Sequence, residues 1–175
     1  MDLCYRTRQF WQALRSHPSP GAIAKAEAVL SPPLMALFSG MQPSEQVHAL
    51  KVLEALQAQG ETDPDLLAAA LLHDAGKQRC PLRLWERVAI VLVQAASPAL
   101  SRHLGEQPAA DCPGWRKAFI VAAQHAEWGA QLVQQAGISP LAADLIRRHQ
   151  QPAPVGSQCD EDVLLRKLQA VDNNY

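Results

Sequence analysis

Apolar residues recur every three to four positions over most of this chain, which is the spacing of one face of a helix. Segments 7–15, 43–59, 82–96, 115–135 and 161–173 follow it. Proline marks further helix starts. Ser19-Pro20, Ser31-Pro32, Asp63-Pro64, Ser97-Pro98 and Ser139-Pro140 each precede an Ala/Leu-rich run. A Ser or Asp side chain there accepts a bond from a free backbone N–H of the first turn. Proline fits the first helical position, where its missing N–H is not needed. No segment alternates as a strand does. The stretch 150–160, rich in Pro, Gly, Ser and Gln, predicts a loop. The pattern predicts an all-α, single-domain helical bundle.

Composition sharpens this. The chain has 175 residues, 48% hydrophobic and 5% aromatic. That is enough to bury a core without a structural metal, and Ala and Leu favour packed helices over sheet. The formal charge of −1 gives no basic excess for nucleic acid. Cys4, Cys80, Cys112 and Cys159 form no CxxC pair or zinc-finger spacing, so free thiols in a reducing compartment are expected. The start, MDLCYRTRQF, is charged and lacks the apolar core of a secretory leader. The apolar run 88–96 is too short to span a bilayer. The expectation is a cytoplasmic protein with no membrane contact. Residues 1–42 hold no candidate chemistry. Phe10, Trp11, Leu14, Leu30, Leu34 and Phe38 suggest helices that cover the main bundle, so this part reads as an N-terminal helical extension.

The informative residues are polar ones on apolar faces. Segment 64–74, PDLLAAALLHD, is apolar nearly all round and should be a central helix. It ends in His73 and Asp74, and Gly76 follows as a natural helix stop. His48 aligns with Val52 and Ala55, and His125 with Val121 and Gly129. His149 continues the stripe of Leu141 and Leu145, and Asp172 that of Leu165 and Leu168. Alone, each is most simply a hydrogen-bonded core residue. Together they bring imidazoles and carboxylates inward with no matching Lys or Arg on the same stripes. Burying such groups unpaired costs several kcal/mol each. A divalent cation would satisfy all of them. The donor set suits Fe, Mn, Zn, Co or Ni, and with more water and oxygen, Mg. His17 and His103 lie in polar contexts and are assigned no role.

The string LLHDAGK at 71–77 resembles the signature of the HD superfamily of metal-dependent phosphohydrolases. His48 upstream and Asp172 downstream complete the pattern H…HD…D. HAEWGAQLV, from His125, is similar to a segment of HD-GYP phosphodiesterases and of HD-type diadenosine tetraphosphate hydrolases. His149 matches the histidine that ends their next helix. The resemblance covers about residues 44–174, so 43–175 reads as an HD domain. The chain has no GYP motif, which leaves cyclic di-GMP hydrolysis unsupported.

The resemblance implies that His48, His73, Asp74 and Asp172 hold one metal, and that His125 and His149, with Asp74 bridging, hold a second. Fe or Mn is foremost. Two cations about 3.5–4 Å apart can clamp a phosphate and activate a water for in-line attack. The expected substrate is a small-molecule phosphoester, a nucleotide foremost, and the expected partner is a further copy of the chain in a homo-oligomer. Asp74 and Lys77 would be catalytic, with Lys77 and Arg148 binding phosphate. Glu45, one turn before His48, is a candidate outer partner for it. Arg79, Arg83 and Arg87 read as a solvated basic face, and Trp128 as core. An HD-fold regulatory or ligand-binding module with little turnover, and a plain structural bundle, stay open as alternatives.

Overall fold

The computed structural model describes residues 17–106 and 114–174. The helix expected at 7–15, with Phe10, Trp11 and Leu14, lies outside them, as do Cys4 and Cys112. The described residues form nine α-helices and no strand. These are α1 (Pro20–Val29), α2 (Pro32–Gly40), α3 (Pro43–Ala58), α4 (Pro64–Leu72), α5 (Leu84–Ala96), α6 (Pro98–Gly105), α7 (Lys117–Gln135), α8 (Pro140–Arg148) and α9 (Asp160–Asp172). Short 3-10 turns at Ala75–Arg79 and Gly114–Arg116 precede α5 and α7. The 150–160 loop is non-helical up to the start of α9.

All five Ser-Pro and Asp-Pro pairs open helices, with proline at the first position. Ser19, Ser97 and Ser139 each accept from the N–H three residues on. Asp63 accepts from Asp65 and Leu66. Ser31 makes no such bond. A sixth start uses the same proline without a Ser or Asp. Gln42 precedes Pro43, and Glu45 Oε2 reaches back to the Gln42 N–H at 3.2 Å.

α4 is the hub. Leu66, Ala69, Ala70, Leu71 and Leu72 are fully buried, and α4 packs against α3, α8 and α9. Leu30, Leu34 and Phe38 belong to the same core as α3, α4, α8 and α9. Each buried Leu or Phe stabilises by about 1.5–3 kcal/mol relative to an exposed one. A second, smaller cluster under α5 joins Leu82, Ile120, Val121 and Trp128. Trp128 is thus core, with the Arg79 guanidinium 5.2 Å over its ring.

Two corrections follow. Gly76 does not stop a helix in a left-handed conformation, since its φ is not positive. It is small because the turn after α4 presses onto the backbone of α7. A Cβ there would lie 1.9 Å from His125 O and 2.6 Å from Gly129 N. The thiol expectation holds for Cys159, which is exposed and free, and fails for Cys80, which is disulfide-bonded. Among the described residues, no helix is long and apolar enough to cross a membrane.

Candidate metal centre

Five elements meet where α4 ends. His73 and Asp74 come from the end of α4, His48 from α3, His125 from α7, His149 from the end of α8 and Asp172 from the end of α9. All six residues converge. His48 Nε2 lies 2.7 Å from Asp172 Oδ1. His73 Nε2 is 3.3 Å from the same oxygen and 3.7 Å from Asp74 Oδ2. His125 Nε2 is 3.4 Å from Asp74 Oδ1 and 3.3 Å from His149 Nε2. His73, Asp74, His125 and His149 are buried, while His48 and Asp172 are partly exposed.

Three of the imidazoles are aimed by their own helices. The Nδ1–H of His73 donates to Ala70 O at 3.0 Å, that of His125 to Val121 O at 2.8 Å and that of His149 to Ile146 O at 2.7 Å. A neutral imidazole that donates through Nδ1 carries its lone pair on Nε2. With all three neutral, three lone pairs would point at the Asp74 carboxylate and at one another. His73 Nε2 is buried with no aligned hydrogen-bond partner. The nearby side-chain donors are Lys77, whose Nζ donates to Asp74 Oδ2 at 2.6 Å, and His48, whose Nε2 meets Asp172 Oδ1. The cluster is compatible with a bound cation.

Burial disfavours a charged His73, but Asp74 and Asp172 outweigh it and lift His73 to about 9. Burial, with His73 and His125, presses His149 down to about 3. Against the cost of its burial, Asp74 is held well below the usual carboxylate range by Lys77, His73 and His125. Asp172 is likewise held low, against burial, by the bond from His48 and by the nearby His73. One imidazole is charged and a neighbour is denied a charge, as when a proton substitutes for a larger cation.

The ligand atoms form two triads that could each hold a metal ion. One is His48, His73 and Asp74, and the other Asp74, His125 and His149, with all atoms of a triad within 4.8 Å of one another. Asp74 belongs to both. Nitrogen and carboxylate donors of this number fit a divalent transition metal.

No family model, curated protein or solved structure matches the chain. The chemistry of the centre therefore follows from its own donor set and surroundings.

A cleft in two lobes adjoins the centre. The larger, about 560 Å³, is lined by Gln94, Arg102, His149, Gln150, Asp172 and Asn173 among others. The smaller, about 290 Å³, is lined by Lys77, Arg87, Val91, Val121, His125 and Gln150 among others. Gln94, Ala122 and Gln150 border both, so the lobes share a wall. Cavities of this size admit a small organic ligand.

Other expected residues sit differently. Arg148 is held by Asp144, at 3.0 Å, and by Asp162. Its guanidinium ties α8 to α9. Gln169 supports the same corner by donating to His149 O at 3.0 Å. Arg147 pairs with Glu127. Glu45 does not serve His48. Its Oε1 accepts from Arg87 at 2.7 Å, and burial lifts its carboxyl above the usual range, with Arg87 and Lys77 opposing. Arg87 is accordingly no solvated arginine. Arg102, Gln94 and Gln150 carried no readable signal of a shared lobe, because they lie on different elements with no motif around them.

Proposed function

We propose that this chain is an HD-type metal-dependent phosphohydrolase acting on a nucleotide or other small phosphoester. The observation that carries the reading is Asp74, one carboxylate common to two triads, with three Nε2 atoms turned toward it by backbone bonds. His48, His73, Asp74 and Asp172 would hold one cation, and Asp74, His125 and His149 a second. Fe or Mn suits the mixed nitrogen and carboxylate set best. When bound, such cations polarise a phosphoryl oxygen and make water a usable nucleophile near neutral pH.

The protein's own groups supply the rest. The ligand histidines are not proton acceptors, because each buried one spends its Nδ1–H on a carbonyl and its Nε2 on the centre. Lys77 stands at the boundary between Asp74 and the smaller lobe. It can donate to a non-bridging phosphate oxygen and offset charge that grows in the transition state. The amide side chains of Gln94 and Gln150, on the wall between lobes, can orient a neutral polar part of the substrate.

The test is anaerobic purification, metal analysis and a phosphoester panel assayed with Mn(II) or Fe(II). Close to two metals per chain and turnover of at least one phosphoester are expected. Protein that binds none of Fe, Mn, Zn, Co, Ni or Mg overturns the reading. Fully metal-loaded protein that cleaves nothing in the panel transfers it to the binding-module alternative.

A further inference from the structure

The smaller lobe holds a cation that the ligand set does not explain. Arg87 lies on α5, and its Nη2 donates to Glu45 Oε1 at 2.7 Å and to Gln42 Oε1 at 2.9 Å. Glu45 is only 3% exposed, and its second oxygen accepts the Gln42 N–H. The guanidinium is thus anchored through Nη2 by the start of α3.

A guanidinium carries five N–H groups in a planar fork. Nη2 spends its two on Glu45 and Gln42. Nε and Nη1 donate to nothing among the described residues. The side chain lines the lobe together with Lys77 and His125, facing Leu82, Ile90, Val91 and Val121. Three donors remain unspent in a cleft with an apolar wall. Pairing with Glu45 alone would need only an ammonium, as Lys77 shows with Asp74. With Nη2 fixed, the guanidinium is pre-oriented, and its unspent Nε–H and Nη1–H groups can each meet an oxygen of an acceptor-only group. Arg87 borders the smaller lobe and not the larger lobe of His149 and Asp172. A phosphate at the Asp74 corner would lie between the two.

We propose that Arg87 is a specificity-determining residue that binds a second anionic group, a phosphate covalently joined to the phosphate at the Asp74 corner. The site then favours diphosphate-type ligands over monophosphates. The placing of the first phosphate rests on the function proposed above; the anchored guanidinium of Arg87 does not.

Calorimetric titration of the full chain with inorganic phosphate, pyrophosphate and phosphonoacetate tests this, in metal-loaded and in metal-free protein. Pyrophosphate should bind at least about tenfold more tightly than phosphate, the worth of one charge-assisted hydrogen bond. The double variant Glu45→Gln, Arg87→Gln replaces the pair by neutral groups of similar shape, so no buried charge is stranded. It should lose the preference while keeping its metal content and its melting profile. Arg87→Lys keeps a charge for Glu45 but lacks the spare Nε–H and Nη1–H groups, and should fall between. Phosphonoacetate binding weaker than pyrophosphate supports a phosphate reader, and equal binding overturns the phosphate assignment. Equal affinity for phosphate and pyrophosphate in the unaltered protein, or a preference that survives the double variant, overturns the proposal outright. If no metal binds, the function proposed above fails, yet an Arg87-dependent preference in metal-free protein would still stand.

Discussion

At the scale of single residues, Asp74 is the position on which both triads depend. Asp74→Ala should leave less than about a tenth of the metal and no turnover, read by elemental analysis and phosphate release. His125→Ala removes a ligand from one triad only, so the metal count should fall by one, and an unchanged count would argue for a single-metal site. The pH dependence of the metal-free protein follows from His73. Its folded pKa of about 9 lies above the 6.5 of an ordinary imidazole. Its charge therefore stabilises the fold fully below about 6.5, and that contribution fades as pH rises through 9. Asp74 and Asp172 act in the opposite sense. Their stabilisation is present above the usual carboxylate range and is lost as pH falls through their depressed folded values. His149, favoured neutral down to about 3, also costs stability below 6.5. Thermal melts in chelator should thus show Tm dropping between pH 6.5 and 9 and again on acidification. With metal bound the alkaline drop should vanish, because the cation takes the place of the proton. A flat metal-free profile from 6.5 to 9 would mean that His73 is not charged. The convergence of the six residues was legible because each interrupts an apolar stripe. The pairing of Arg148 was not legible, because adjacency to His149 says nothing of Asp144 and Asp162, which hold its guanidinium. Glu45 misled because residues three apart share a helix face without sharing a partner.

At the scale of elements, the turn after α4 and the middle of α7 behave as one unit. Gly76→Ala would drive a Cβ into His125 O and Gly129 N, both backbone atoms that no rotamer change can move. The turn must lift away. Overpacking of this kind costs about 1–3 kcal/mol, or roughly 2–12 °C of Tm for a chain this size. Metal stoichiometry should fall with it, since the displaced turn carries Asp74. A Gly76→Ala protein with unaltered Tm and metal content would show the two backbones to be further apart. Helix starts were readable because proline and its capping residue are local signals. α3 needed the periodicity as well, since Gln42 is a poor N-cap and Glu45 does the capping. The reason for Gly76 was not readable. Sequence shows that a glycine follows the helix, while the neighbour that requires it lies about fifty positions away.

At the scale of the whole molecule, the first helices share the core that carries the centre. Phe38 is fully buried in the cluster that also holds Leu66, Leu71 and Leu165. Phe38→Ala should cost about 3–5 kcal/mol, seen as a lower urea midpoint with one cooperative transition. Two separate transitions would instead mark 20–42 as an independent unit. The bundle class was legible from periodicity and from the lack of alternation. The disulfide at Cys80 was not, because pairing depends on three-dimensional proximity that spacing alone cannot give. The acceptors that aim His73, His125 and His149 are main-chain carbonyls, which every amino acid possesses. Substitution at 70, 121 or 146 changes a side chain and leaves the aiming oxygen where it was. A lineage built on this plan can therefore rewrite most of its helical surfaces, and much of its interior, while the imidazoles keep their bearing. The bearing of these rings is set by the backbone and not by the side chains around it.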